Sequence, residues 1–529
     1  MKIIALVGKG VILATLLGLS GLSYGQPGNL ARNCLQLGEL ALSMTTISLA
    51  QVVAENSFTP PGSEANLEAP AFCRLVGTTA PEVSFEVWLP LDNWNGKFQV
   101  VGNGGMAGTI SYAAMAGALR RHYATASTDT GHKAGPVPFD ASWASGRPDL
   151  IEDFGHRSLH VTTVNGKQVV EALYDSPPQY SYYVGCSKGG QQGLMEAQRY
   201  PDDFDGIIAG DPANNWTRFY AGAHLWYSQA MLADQEAWLP PAKLPALGNA
   251  VNNACDAGDG IEDGILMNPL ACTFEPASLT CPVGTDSDSC LTPKQVSAVE
   301  KIWSGVTDSD GELVYPGLVP GGEAAPGTWA TWVTGREPFR SLHWLGGEGF
   351  FRWFVFDDLD WDFTTFDFDT DLEFALNKVG PALDAVNPDL TPLRDQGAKL
   401  IVYHGWSDPD ISPLASIEYY NQVVEFIEND MGAGNRSEAL VSTQDFYRLF
   451  MVPGMAHCSG GPGPDRFDAL TALEDWVERG IAPESIIAAK VENGETIRTR
   501  PLCAYPQVAT YDGSGDTDRA ENFYCAVPE

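Results

Sequence analysis

Basic residues are scarce in this chain. Its 529 residues hold 31 Lys and Arg against 67 Asp and Glu, a formal net charge of −36 at pH 7. Such a surface repels nucleic acid and anionic membranes, so neither is expected as a partner. Long apolar runs are missing as well. The N-terminal stretch Val11 to Leu19 is shorter than the ~20 residues that span a bilayer, and no later segment is long enough. That stretch follows Lys2 and Lys9 and precedes the small residues Ser23 and Gly25. It reads as a signal peptide over residues 1–25, so the mature chain is expected to be secreted or periplasmic without stable membrane association. Internal repeats and low-complexity linkers are also absent, which argues against a solenoid or a disordered tether.

All ten cysteines lie downstream of that segment, an even number that suits disulfides in an oxidising compartment. Local spacing suggests Cys34–Cys73, Cys255–Cys272, Cys281–Cys290 and Cys503–Cys525. Cys186 and Cys458 are then left for each other, although spacing alone does not fix connectivity.

About 500 residues remain after the signal, more than one ordinary domain. Residues 26 to about 80 read as an irregular entry segment. Val83–Leu89 and Gly96–Val101 follow as strands, and the second ends in the turn Gly102-Asn103-Gly104-Gly105. Tyr182–Gly185 is a strand, Gly190–Arg199 a helix, and Phe204–Gly210 the next strand. Strands alternating with helices predict an α/β domain with a mainly parallel sheet. From Pro212 to about residue 388 the chain turns loop-rich, acidic and aromatic. The α/β rhythm resumes at Lys399–Gly405 and Tyr447–Val452. The expected organisation is a core over 26–211 and 389–529, with 212–388 inserted as a lid.

Gly185-Cys186-Ser187-Lys188-Gly189 is a G-x-S-x-G stretch between a strand and a helix, the setting of a nucleophile elbow. Asp408 follows the strand that ends at Gly405, and His457 follows the next, so Ser, Asp and His come in α/β-hydrolase order. Ser187, Asp408 and His457 are the candidate triad, with Asp410 the alternative acid and His404 a structural hydrogen-bonding residue. The oxyanion hole would use the Lys188 N–H and one from the glycine turn, Gly102 or Gly104. The Lys188 side chain is expected to be a solvated cation. Cys186 beside Ser187 and Cys458 beside His457 would tie nucleophile to base.

Together the Cys186-Ser187 pair, the Asp408 turn and the His457-Cys458 pair resemble the tannase and feruloyl esterase family, which includes hydrolases of mono(2-hydroxyethyl) terephthalate. The likeness extends to Gly102-Asn103-Gly104-Gly105 and Ser127–His132. It implies an α/β-hydrolase core, a large lid and a structural Ca2+ in that lid. The loop from Cys255 to Ile265 supplies Asp256, Asp259 and Asp263, and the carbonyls of Ile261 and Ile265 could complete an oxygen shell. Without the resemblance the same loop reads equally as an acidic turn.

The implied activity is hydrolysis of a small aromatic ester through an acyl-enzyme, of feruloyl or galloyl type. Terephthalate monoesters are the alternative, and a calcium-stabilised binding protein without catalysis is the reading from another class. Trp329, Trp332, Trp344 and the aromatics of Phe350–Phe354 could line an acyl pocket, though most should be lid core. Arg336, Arg340 and Arg352 are the cations that could meet a substrate carboxylate. The sequence assigns no oligomeric state.

Overall fold

A computed structural model describes residues 29–528 apart from 136, 138 and 433. The segment read as a signal peptide lies outside the described residues. The central sheet has nine strands in the order β1-β2-β3-β5-β4-β6-β7-β10-β11. They are β1 (Thr45–Val53), β2 (Phe72–Thr79), β3 (Val83–Pro90), β4 (Lys97–Val101), β5 (Ala124–Thr128), β6 (Tyr180–Cys186), β7 (Gly206–Gly210), β10 (Lys399–Gly405) and β11 (Tyr447–Val452). From β5 to β11 every neighbouring pair is parallel, whereas β1, β2, β3 and β5 pair antiparallel. Two strands therefore occupy the segment expected to be irregular. Thr45–Val53 mixes Thr, Ser and Gln into an edge strand whose burial never falls into clean alternation, so its sequence lacks the period-two signal.

Helices cover both faces of the parallel half, which is why its strands read as continuous apolar runs. Successive residues go to opposite sides. Tyr183 and Ile207 pack with Leu194, Met195 and Val169 on one face, while Tyr182 and Ile208 pack with Leu473 and Trp476 on the other. Among the described residues no helix is long and apolar enough to cross a membrane.

Between β7 and β10 the chain leaves the sheet and forms short helices and one small ribbon, β8 (Val306–Thr307) with β9 (Leu313–Tyr315). Trp216, Phe219, Tyr220, Phe350, Phe351 and Phe354 build its aromatic core, and Phe154 reaches into that cluster from the segment between β5 and β6. Beyond β11 come two antiparallel ribbons, β12 (Ser485–Glu492) with β13 (Glu495–Cys503) and β14 (Val508–Tyr511) with β15 (Phe523–Ala526). The Cys503–Cys525 disulfide ties one ribbon to the other.

The last residue of β7 is a glycine because the sheet leaves no room for a side chain there. Gly210 pairs with Tyr403 of β10, and a Cβ would lie 2.1 Å from the Tyr403 ring. Gly210→Ala should therefore destabilise the oxidised protein by about 1–3 kcal/mol, the usual effect of overpacking. A urea midpoint equal to that of the wild type would contradict this packing.

Candidate active site

Ser187 stands at the turn from β6 into the helix Lys188–Arg199, with φ 66° and ψ −121°. A non-glycine residue adopts that conformation only where its surroundings enforce it. Here the Ser187 N–H donates to the Gly210 carbonyl at 2.9 Å, and the Ser187 carbonyl accepts from Gln191 at 3.0 Å. The neighbours must be small. A Cβ on Gly185 would lie 2.4 Å from the Tyr183 hydroxyl, which donates to the Gly189 carbonyl at 2.7 Å.

The acid and base come from the loops after β10 and β11. His457 Nδ1 lies 2.8 Å from Asp408 Oδ2, and Asp408 Oδ1 accepts from the backbone N–H groups of Asp410 and Ile411 at 2.8 and 3.1 Å. Because Nδ1 faces a carboxylate it carries the proton, which leaves Nε2 as the base. Burial works against charge on both residues. Even so, Asp408 raises the affinity of His457 for its proton, with Asp410 and Asp211 adding to it, and His457 and His404 hold Asp408 below the usual carboxylate range. His404 is fully buried, with Nδ1 2.7 Å from the Ser416 hydroxyl and Nε2 3.1 Å from the Ile411 carbonyl. It is a hydrogen-bonding support for the acid turn.

Cys186 and Cys458 are bonded, with Cα atoms 6.0 Å apart, and the other four disulfides pair as local spacing suggests. Sequence reasoning missed the residue beneath that bridge. Asp211, completely buried just past β7, accepts from the Gly405 N–H at 2.8 Å and from the Cys458 N–H. Burial pushes its carboxyl up to about 6, with the His404 charge opposing and the Asp408 charge adding. Only its place at a strand end, opposite the other two loops, could have signalled the role.

Two expectations need correction. Gly102 is no oxyanion donor, because its N–H is already given to the Val184 carbonyl at 2.9 Å within the sheet. Gly104 instead lines the cavity in front of Ser187. The Lys188 side chain is also not solvated. It is fully buried, its Nζ 4.0 Å from the Phe154 ring centroid and 5.0 Å from that of Trp216, and it donates to Gln191 Oε1. Burial pushes its amine well below the ordinary lysine range.

A cavity of about 280 Å³ opens on Ser187 and His457. Its walls include Phe139, Trp216, Phe219, Tyr220 and Trp332. Of the lid aromatics singled out in the sequence only Trp332 lines it, with its ring 5.2 Å from His457 and edge-on. Phe350, Phe351 and Phe354 are lid core. None of the three lid arginines lines it either: Arg336 and Arg340 are exposed, and Arg352 pairs with Glu348.

The acidic loop of the lid carries Asp256, Asp259 and Asp263, close enough for the charges of the other two to act on Asp259. Asp256 Oδ1 is buried without a hydrogen-bond partner, while Oδ2 accepts from Gly264 at 2.9 Å. Burial, opposed by backbone donors but reinforced by the charges of Asp263 and Asp256, pushes Asp259 up to about 6. The N–H groups of Ile261 and Ile265 donate to Asp259 and Asp263 at 3.1 Å. Asp263 Oδ2 also meets buried Arg500 at 2.6 Å. An orphaned carboxylate oxygen in an acidic loop is what a hard cation would satisfy.

An elbow serine before a hydrogen-bonded His–Asp pair, at the strand ends of a largely parallel sheet, defines an α/β-hydrolase. The chain belongs to the tannase and feruloyl esterase family, whose model matches residues 68–526. It is 40% identical to an uncharacterized esterase of Xanthomonas campestris pv. campestris over 98% of this chain and 95% of that one. It is 33% identical to the mono(2-hydroxyethyl) terephthalate hydrolase of Piscinibacter sakaiensis, over 88% of this chain and 87% of the other. The crystal structure of feruloyl esterase B from Aspergillus oryzae superposes with a TM-score of 0.83 at 28% identity, covering 94% of this chain and all of that one.

The two glycines of the turn should respond in opposite ways to alanine. At Gly104 a Cβ would meet nothing within 4 Å, so Gly104→Ala keeps its N–H and should stay within about tenfold of wild-type kcat, far from the ~100-fold or more that a lost oxyanion donor costs. At Gly102 a Cβ would lie 2.8 Å from Gly189 Cα and 3.0 Å from Gly185 Cα, so Gly102→Ala should displace the elbow and lower both kcat and the melting temperature. The reverse pattern would contradict the packing around the two glycines.

Proposed function

We propose that this protein hydrolyses esters of uncharged aromatic carboxylic acids, of feruloyl or galloyl type, through an acyl-enzyme on Ser187. His457 Nε2 takes the Ser187 proton as Oγ attacks the ester carbonyl. The oxyanion is met by the N–H groups of Gly104 and Lys188, the first residue of a helix whose leading N–H groups are free of intrahelical bonds. Collapse of the adduct breaks the C–O bond, and His457 returns the proton to the leaving alcohol. Water then repeats the sequence and releases the acid, while Asp408 holds the imidazole in its working tautomer.

The composition of the cavity wall carries the choice of substrate. It is aromatic and, among the described residues, contains no Lys or Arg. A second carboxylate, as on a terephthalate monoester, would enter this wall without a basic partner, whereas an uncharged phenolic ring would stack on the aromatic side chains. With five disulfides, the chain also suits an oxidising compartment, in keeping with export.

Ser187→Ala should fold normally and lose all but the residual rate that the oxyanion hole and binding supply. In wild-type protein, methyl ferulate and methyl gallate should exceed mono(2-hydroxyethyl) terephthalate in kcat/KM by at least roughly tenfold, ~1.4 kcal/mol of discrimination. The opposite ranking would defeat the substrate assignment while leaving the triad standing.

Calcium in the lid loop belongs to the same reading. Asp256, Asp259 and Asp263 would hold it, with the carbonyls of Ile261 and Ile265, and it would neutralise carboxylates that otherwise repel. Metal-stripped protein should melt at a lower temperature, recover with calcium alone, and fail to recover in Asp256→Asn. An unchanged melt after verified removal would count against the ion.

A further inference from the structure

Asp410 turns one carboxylate oxygen toward the base and the other away from it. Its Oδ2 lies 3.7 Å from His457 Nε2, whereas Oδ1 lies 3.3 Å from His224 Nε2 and 3.4 Å from His343 Nε2. His224 sits in the π-helical turn Tyr220–Trp226 and His343 in the helix Leu342–Phe350, so two lid elements meet one loop of the core. Both histidines are fully buried, Asp410 is 3% exposed, and none of the three converging atoms has a hydrogen-bond partner.

The tautomer of His224 sharpens the point. Its Nδ1 lies 3.0 Å from the His343 carbonyl oxygen. A carbonyl only accepts, so Nδ1 carries the proton and Nε2 presents a lone pair. That lone pair faces a carboxylate oxygen in an interior without solvent, an arrangement that repels unless a cation lies between the two. An ion ~2.0–2.1 Å from each ligand in tetrahedral geometry would hold them roughly 3.3–3.4 Å apart, which matches both observed separations. The bond from Nδ1–H to a backbone carbonyl is the outer contact by which metal-bound histidines are oriented. Tyr220 stacks on the His224 ring at 4.3 Å, and Phe219 meets it edge-on at 4.8 Å, giving the apolar surround of a dry metal centre.

We propose that His224, His343 and Asp410 form a binding site for a divalent transition metal of the zinc class. Two imidazoles and one carboxylate suit a borderline-soft ion, unlike the all-oxygen loop around Asp259. The metal cross-links the lid to the turn that bears the catalytic acid. Its role is to position: it fixes Asp410 beside His457 and fastens the lid over the cavity.

The test uses full-length, untagged protein, stripped with a chelator, dialysed and titrated with cobalt(II) alone. One equivalent should bind with the visible ligand-field bands of a nitrogen-ligated, low-coordinate site, and zinc should displace it while calcium does not. His343→Gln and His224→Asn should each weaken binding by more than the roughly 10–100-fold that loss of an outer contact costs. Asp256→Asn, in the separate acidic loop, should leave the bands unchanged. Folded wild-type protein that takes up neither cobalt nor zinc overturns the proposal and leaves a proton as the cation of the cluster, and that titration decides the matter even if a variant fails to fold. Uptake equally tight in His343→Gln and in Asp410→Asn overturns it too, by placing the metal elsewhere. Because the readout is metal bound, a failure here is distinct from a failure of the esterase reading.

Discussion

Ser187 and His457 belong to distant parts of the chain, and a covalent bond between their neighbours brings them together. The Cys186–Cys458 disulfide spans 272 residues of sequence. In a chain-entropy account, closing a loop of that size removes freedom from the unfolded state worth on the order of 5 kcal/mol. Its local effect is more specific. Cys186 ends β6 and Ser187 is fixed by the elbow, so the bond makes the loop after β11 follow the position of the nucleophile. Asp211 completes the junction by accepting from Cys458 on one side and Gly405 on the other. β6, β7, β10 and the loop that carries His457 are thus joined at one buried point, and the placement of Ser187 relative to His457 depends on it.

That junction also concentrates charge. Asp211, Asp408 and Asp410 each lie within 4.0 Å of His404 or His457, and all three carboxylates are buried. Three buried carboxylates are tolerable only when their oxygens are occupied. Asp408 uses two backbone donors and two imidazoles, and Asp211 uses two backbone donors. In the proposed reaction the same field would favour the imidazolium formed when Ser187 gives up its proton to His457.

The parts of the fold visible in the sequence were those with a strong local period or a steric rule. The elbow was legible as a glycine-flanked serine between strand and helix, and at Gly185 a Cβ 2.4 Å from the Tyr183 hydroxyl makes glycine a steric requirement. The acid and base were legible as polar residues just past buried strands, and the cysteines by their adjacency to Ser187 and His457. β1 was not, because an antiparallel edge that mixes Thr, Ser and Gln has no run of apolar residues to announce it, and β2, interrupted by Arg74 and Gly77, was missed with it. Gly102 and Gly104 were indistinguishable because both are glycines in one turn, and only the tertiary bond to Val184 separates them. Lys188 was misjudged for a related reason: its burial is imposed by Phe154 and Trp216, which lie far from it in sequence.

The lid raises a different physical problem, since it is built from short elements with few strand bonds to the core. Its aromatic cluster gives area but little directional constraint, and an apolar contact alone would let the cavity wall shift against Ser187. Polar fastenings supply direction. At one end Asp263 of the acidic loop meets Arg500 and Arg498 of β13, a ribbon that extends from the core. At the other, His224 and His343 converge on Asp410 of the acid turn. Arg500 is fully buried, so its pairing with Asp263 is held in one geometry and is weakly screened. With both ends held to loops of the core, the position of Trp332 beside His457 becomes a property of the core as much as of the lid.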